Sequence, residues 1–180
     1  MSADVLLLAR AADYAARQHI AQRRKGERAE PYINHLTEVA ALLAEATGGT
    51  DATLLAGGLL HDTLEDTDST YEDLVDRFGA DVAALVAEVT DDKSLPKEER
   101  KRLQIDTTAG KSRRAKLLKI ADKTSNLRSM VNSPPAGWTE ARVRDYVVWA
   151  EQVVRGCRGL NAALEVAFDA AHADAKRNLG

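Results

Sequence analysis

Apolar side chains recur every three or four positions along nearly the whole chain, the period of helices that each bury one face. Residues 3–23 carry a stripe of Ala and Leu and end in the basic turn Arg23-Arg24-Lys25-Gly26. Pro31 suits the start of a second helix that runs to about Thr47, where Gly48-Gly49 stops it. Asp51 can cap a helix of Ala and Leu that reaches His61. Thr70, with Asp73 three residues on, is a capping-box-like start for a helix ending near Phe78-Gly79, and Asp81 to Thr90 is another short apolar helix. From Asp91 to Lys111 the period gives way to Pro96 and a run of charges, which predicts a mobile loop around one charged helix. A long helix over about 112–132 sets Leu117, Ile120, Thr124, Leu127 and Val131 at helical spacing, until Ser133-Pro134-Pro135-Ala136-Gly137 breaks it. Thr139 and Arg142 open a further helix with Val143, Val147, Ala150 and Val154 on one face. A last helix runs from about Leu160 to the C-terminus. No stretch alternates with period two, so the predicted fold class is all-α, a bundle of about eight to ten helices in one domain over residues 1–180.

Composition narrows the function classes. Apolar residues make up 44% and charged residues 29%, a soluble balance, and aromatics are only 4%, which favours helix over strand. A net charge of −3 argues against a partner such as long nucleic acid, while leaving room for a small anionic ligand held by a local Lys/Arg cluster. Cys157 is the one cysteine, so neither a disulfide framework nor a Cys-rich zinc site is expected, and a reducing cytoplasm fits. Val5 to Leu8 is too short for the apolar region of a signal peptide, with Arg10 and Asp13 following at once. No apolar run approaches the roughly 20 residues that span a bilayer, so no membrane partner is expected.

The chemistry concentrates in Gly58-Leu59-Leu60-His61-Asp62-Thr63-Leu64-Glu65-Asp66-Thr67. Four groups able to bind a metal or move a proton stand there within six positions, directly after an apolar run. Burying an imidazole and a carboxylate is costly unless each has a partner, and a divalent cation serves both. His61 with Glu65, and Asp62 with Asp66, lie one turn apart if the helix continues through them; the run of acids allows it to end there instead. Two more polar residues interrupt apolar faces: His35, ahead of Val39, Leu42 and Leu43, and Asp122, with Asn126 one turn later. His35, His61, Asp62 and Asp122 together offer two imidazoles and two carboxylates, a set that suits Mn, Fe or Zn better than Ca. The chain has four histidines, and neither His19 nor His172 lies in a comparable context, so one metal ion is expected.

These residues resemble the HD-domain phosphohydrolases, and within them the hydrolase domain of the RelA/SpoT alarmone enzymes. Arg23-Arg24-Lys25-Gly26 with Pro31-Tyr32-Ile33-Asn34-His35 resembles the opening motif, Leu60 to Thr67 the HD and ED motifs, and Lys119 to Arg128 the closing one. Val89 to Pro96 with Arg100 to Gln104, and Gly137-Trp138 with Tyr146 to Ala150, are similar to the small stand-alone hydrolases of the metazoan SpoT-like type. The chain ends where a synthetase domain would begin, so a hydrolase-only protein is expected. Two positions depart from the family pattern. Leu36 stands where Pro often follows the histidine, and Thr124-Ser125 where Leu and an aromatic or His are common, the latter bearing on how base or ribose is held.

The resemblance implies metal-dependent removal of the 3′-pyrophosphate from guanosine tetra- or pentaphosphate, with Mn²⁺ as cofactor and Fe²⁺ or Zn²⁺ as substitutes. Glu65 and Asp66 then orient the attacking water and take its proton. Arg24 can stack on a purine while Lys25 meets phosphate. Asn126 and Tyr146 are candidates for the nucleoside, and Lys97 and Arg142 for the phosphates. Two enzyme alternatives use the same site, removal of the 2′-phosphate of NADPH and hydrolysis of an adenosine alarmone. A nucleotide-binding or antitoxin-like neutralising protein is the alternative of another class; the Glu65-Asp66 pair speaks against it, since binding alone does not need those acids. A general deoxynucleotide triphosphohydrolase is disfavoured by the stretch from Arg23 to His35.

Overall fold

Capping chemistry punctuates the chain where its sequence asks for it. In the computed structural model, which describes residues 3–179, ten helices follow one another: α1 (Ala3–Gln18), α2 (Ile33–Thr47), α3 (Ala52–Leu60), α4 (Thr63–Asp66), α5 (Tyr71–Phe78), α6 (Ala80–Val89), α7 (Lys97–Thr108), α8 (Arg113–Asn132), α9 (Glu140–Arg155) and α10 (Ala162–Arg177). The described residues contain no strand, only two isolated bridges, Arg23 with Pro31 and Gly26 with Pro135. Asp51 accepts from the Leu54 amide, Thr70 and Asp73 complete a reciprocal capping box, and Gly48 closes α2 in the left-handed region at φ 65°. Ser112, Thr139 and Asn161 cap α8, α9 and α10 in the same way. Each such cap is worth about 1 kcal/mol.

The core has two parts that meet around α3 and α8. Leu117, Leu118, Ile120 and Leu127 of α8 pack with Leu43, Val147, Val154, Leu164 and Phe168. A second cluster joins Ala11 and Ala15 of α1 to Leu36, Leu60, Leu74 and Val86. Leu36 is fully buried there, so the departure from Pro at this position serves core packing. α8 is the central element, covered by α2, α3, α6, α9 and α10. Its polar Lys119, Asp122, Lys123, Thr124 and Ser125 are therefore buried with the leucines.

Two features differ from the sequence expectation, and one point it left open is decided. The first helix stops at Gln18, not 23, and Ile20 is 74% exposed. Residues 19–32 instead fold back on themselves, with Arg24 N–H donating to Glu30 O (2.9 Å) and Tyr32 N–H to Gln22 O (3.1 Å). This loop lies against the end of α8, where a Cβ on Gly26 would collide with the Ser133 side chain and carbonyl. Of the two courses the run of acids left open, the helix takes the second: it ends at His61-Asp62, where Asp62 has φ −97° and ψ 0°, and restarts as α4. Finally, the charged helix α7 is tied down rather than loose: Trp149 Nε1 donates to Lys101 O (3.0 Å) and Gln104 Nε2 to Asp91 Oδ2 (2.6 Å). No described helix is long and apolar enough to cross a membrane.

Candidate active site

The break after α3 aims two adjacent side chains in the same direction as His35 and Asp122. His35 comes from the first turn of α2, His61 and Asp62 from the break, and Asp122 from the middle of α8. One ligand atom each of His35, His61 and Asp62 lie within 4.8 Å of one another. His61 Nε2 is 3.1 Å from Asp62 Oδ2 and 3.8 Å from Asp122 Oδ1, and His35 Nε2 is 3.7 and 3.3 Å from the same two oxygens. Ligands about 2.0–2.2 Å from a shared ion stand about 3 Å apart at adjacent positions, so these four atoms could hold one cation after small adjustments.

The far nitrogens fix the near ones. His61 Nδ1 donates to Gly58 O (2.9 Å). His35 Nδ1 lies 2.9 Å from Ser125 Oγ, whose own proton goes to Glu38 Oε2 (2.7 Å), so Ser125 must accept from His35. Both Nε2 atoms are left facing the cluster, an arrangement typical of metal-binding histidines. His61 Nε2 is buried and, among the described residues, has no well-aligned hydrogen bond, its polar neighbours being the carboxylates of Asp62 and Asp122. A divalent cation there would serve the imidazole and both carboxylates. Tyr32 O–H donates to Asp62 Oδ2 (2.7 Å), Asn126 Nδ2 to Asp122 Oδ1 (2.7 Å) and Lys123 Nζ to Asp122 Oδ2 (2.7 Å).

Charge follows from these contacts. Burial opposes the charge on Asp62 and Asp122, but His61 beside the first and Lys123 beside the second outweigh it and hold both carboxyls well below their usual range. Burial likewise opposes protonation of His61, yet Asp62 and Asp122 carry its pKa up to about 10. His35 goes the other way, lowered by burial and by the charge on His61. Glu65 is raised by burial and by Asp62 and Asp91 nearby, which suits a group that takes a proton near neutrality. Its Oε2 accepts from Asp91 N–H (3.3 Å) and its Oε1 lies 3.6 Å from Arg100 Nη1. Asp66 is held by Gln22 Nε2 (3.0 Å) and Lys93 Nζ (2.6 Å).

A cavity of about 350 Å³ opens beside the cluster, and Glu65, Asp66, Arg24, Lys25, Asn126 and Tyr146 all line it. Lys97 and Arg142 do not; the Arg142 guanidinium stacks 4.2 Å from the ring of Trp138, which does. Arg24 Nη1 donates to Asn126 Oδ1 (3.1 Å), so Asn126 links Arg24 to Asp122. Thr124 and Ser125 lie outside the lining, and Ser125 serves His35. The Ser125 half of that departure thus bears on the orientation of His35. Sequence reasoning passed over Tyr32 as a site residue, together with Lys119 and Lys123, the buried cations on either side of Asp122. Among the described residues Lys119 Nζ donates to the Val89 carbonyl (2.9 Å), and burial and Lys123 push its pKa down. The available signal was two lysines in an apolar run, each needing a partner.

The HD domain family matches residues 11–151. The guanosine-3′,5′-bis(diphosphate) 3′-pyrophosphohydrolase of Xenopus tropicalis is 50% identical over 169 residues, 94% of either chain. That of Homo sapiens is 51% identical over 168 residues, covering 93% of this chain and 94% of its own. A solved structure described as a metazoan ortholog of SpoT that hydrolyzes ppGpp superposes with a TM-score of 0.91 at 47% identity, covering 100% of this chain and 98% of its own.

Proposed function

The chain belongs to the HD domain family, and on that premise we propose that it hydrolyses guanosine tetra- and pentaphosphate to GDP or GTP and pyrophosphate. The observation that carries this reading is the convergence of His35, His61, Asp62 and Asp122 beside Glu65 and Asp66 at a cavity lined by Arg24, Lys25 and Lys119. We assign the first four as metal ligands, with one Mn²⁺ as the ion suited to two imidazoles, two carboxylates and further open positions. When bound, the ion supplies Lewis acidity and lowers the pKa of a water at the site.

The protein's own groups do the rest. Glu65 takes the proton of the attacking water while Asp66 orients it; the water oxygen joins the 3′ phosphorus, the phosphorus–O3′ bond breaks, and the proton passes to O3′. Lys25 and Lys119 offer the cavity positive charge for the phosphates, and Arg24, 5.9 Å from the Tyr32 ring, offers its plane to the base. Tyr146 and Asn126 complete the nucleoside side. Lys97 and Arg142 reach phosphate only by leaving their present positions, and we assign them the outer edge of the polyanion. A nucleotide substrate and a buried free Cys157 suit the cytoplasm.

The test is incubation of metal-stripped protein with guanosine tetraphosphate, with and without Mn²⁺, and chromatography of the products. GDP and pyrophosphate appear only with metal. Absence of turnover by folded, Mn²⁺-loaded protein, with orthophosphate released from NADPH instead, overturns the reading.

A second expected outcome concerns pH. The metal-free cluster holds one proton on His61 up to about pH 10, and ligation requires that nitrogen bare. Proton and cation compete, so affinity falls as pH falls and rises about tenfold per pH unit across neutrality. Asp62 and Asp122 stay ionised throughout and add nothing to the slope. Titration with Mn²⁺ at pH 6.5, 7.5 and 8.5 measures it, and a flat dependence contradicts the ligand assignment.

A further inference from the structure

We propose that His19 and Gln22 are positioning residues that hold Asp66 in its working orientation, an inference that rests on the role given to Asp66 above. His19 is buried to 2% exposure, and its ring stacks on Tyr32 with centroids 5.2 Å apart and planes 26° apart. Its Nδ1 lies 2.5 Å from Gln22 Oε1, and Gln22 Nε2 donates to Asp66 Oδ2 at 3.0 Å. The polarity of this chain is fixed by chemistry. An ionised carboxylate only accepts, so the Gln22 amide nitrogen must face Asp66, its oxygen must face His19, and His19 must donate from Nδ1. His19 Nε2 is buried without a hydrogen-bond partner among the described residues, so there Nδ1 is the nitrogen through which this ring hydrogen-bonds.

The other hold on Asp66 is Lys93, half-exposed on a flexible stem, and contacts of that kind are weak. Gln22 is rigid by comparison: its carbonyl accepts from Tyr32 N–H and its amide donates to His19 O. The same Tyr32 that His19 stacks on donates to Asp62. The stack on Tyr32 fixes the imidazole plane, so that Nδ1–H is aimed at Gln22 and, through it, at the water-orienting Asp66. A histidine that only filled space would need no directed Nδ1–H.

The test uses the Mn²⁺-loaded full chain and guanosine tetraphosphate. Gln22→Met removes the amide at nearly constant length, and His19→Leu removes the donor. His19→Asn keeps a donor where Nδ1 stood. Gln22→Met and His19→Leu each lower kcat by about 10–100-fold, with KM and Mn²⁺ affinity within about twofold of wild type. The double variant loses no more than either single, since both cut one chain. His19→Asn recovers most of kcat. An unchanged kcat in Gln22→Met, a loss carried by KM or metal affinity, or a His19→Asn as impaired as His19→Leu overturns the proposal. Should His19→Leu fail to fold, Gln22→Met at the cavity edge decides alone. Asp66→Asn separates the two levels. If it keeps full kcat, the role of Asp66 falls and this proposal with it; if it loses kcat while Gln22→Met does not, the relay alone falls.

Discussion

A His61→Asn variant is expected to lose Mn²⁺ affinity by more than about 100-fold, and metal-dependent pyrophosphate release with it. The asparagine keeps a donor where Nδ1 stood, so the hydrogen bond to Gly58 O survives, and only Nε2 is deleted. Loss of a residue that merely supports a ligand already costs about 10–100-fold in metal affinity, and a ligand itself costs more. Stability separates this outcome from misfolding. Wild-type protein gains RT ln(1 + [Mn²⁺]/Kd), about 2.7 kcal/mol at a hundredfold excess over Kd, so its Tm rises with added Mn²⁺. The variant's Tm stays near that of metal-free wild type and does not respond to the ion, because the buried Nε2 that would face the ion beside Asp62 and Asp122 is gone. A variant that keeps the Mn²⁺-dependent Tm rise sinks the assignment of His61.

The convergence of His35, His61, Asp62 and Asp122 was legible in the sequence for a simple physical reason. His35 and Asp122 interrupt apolar helical faces and His61-Asp62 follow directly on an apolar run, and such residues must have partners when the chain packs. The ends of most helices were legible as well, since Asp51, Thr70, Thr139 and Gly48 carry their capping chemistry in their own side chains or in the lack of one. What escaped depends on contacts far apart in the chain. The stripe of Ala and Leu does not reveal that α1 stops at Gln18, because the loop that replaces its last turn is held by Glu30 and by the carbonyl of Lys25 accepting from Ala136. Nothing local marks Ser125 as the partner of His35, 90 residues away, nor Gln22 as the partner of Asp66. Lys97 and Arg142 share a different limitation: cationic composition suggests phosphate, but only the fold shows that Arg142 is stacked on Trp138.

Glu65→Gln is the second large effect, and it tests the chemistry apart from the metal. Glutamine has the same length and still accepts from Asp91 N–H through its amide oxygen, so the α4 turn and the cavity are retained. What it cannot do is take a proton. General-base help is worth about 10²–10⁴-fold, and kcat is expected to fall by that factor while KM and Mn²⁺ affinity stay near wild type. The pH profile supplies an independent readout. Burial and the carboxylates of Asp62 and Asp91 raise the Glu65 pKa, so in wild type kcat declines as pH drops through that raised value, at higher pH than an ordinary glutamate would give. The acidic limb set by Glu65 disappears from the residual activity of the variant, leaving only the loss due to metal release, which saturating Mn²⁺ suppresses. If kcat instead stays within about threefold of wild type with that limb intact, Glu65 is not the base, and the proton goes to Asp66, the carboxylate held by Gln22 and Lys93. The two acids stand one residue apart, but their surroundings differ. Glu65 is raised by burial and by Asp62 and Asp91, with Arg100 at 3.6 Å, whereas Asp66 is held by Lys93 at 2.6 Å and by the Gln22 amide, and that contrast is why the proposal gives the proton to the first and the orientation of water to the second.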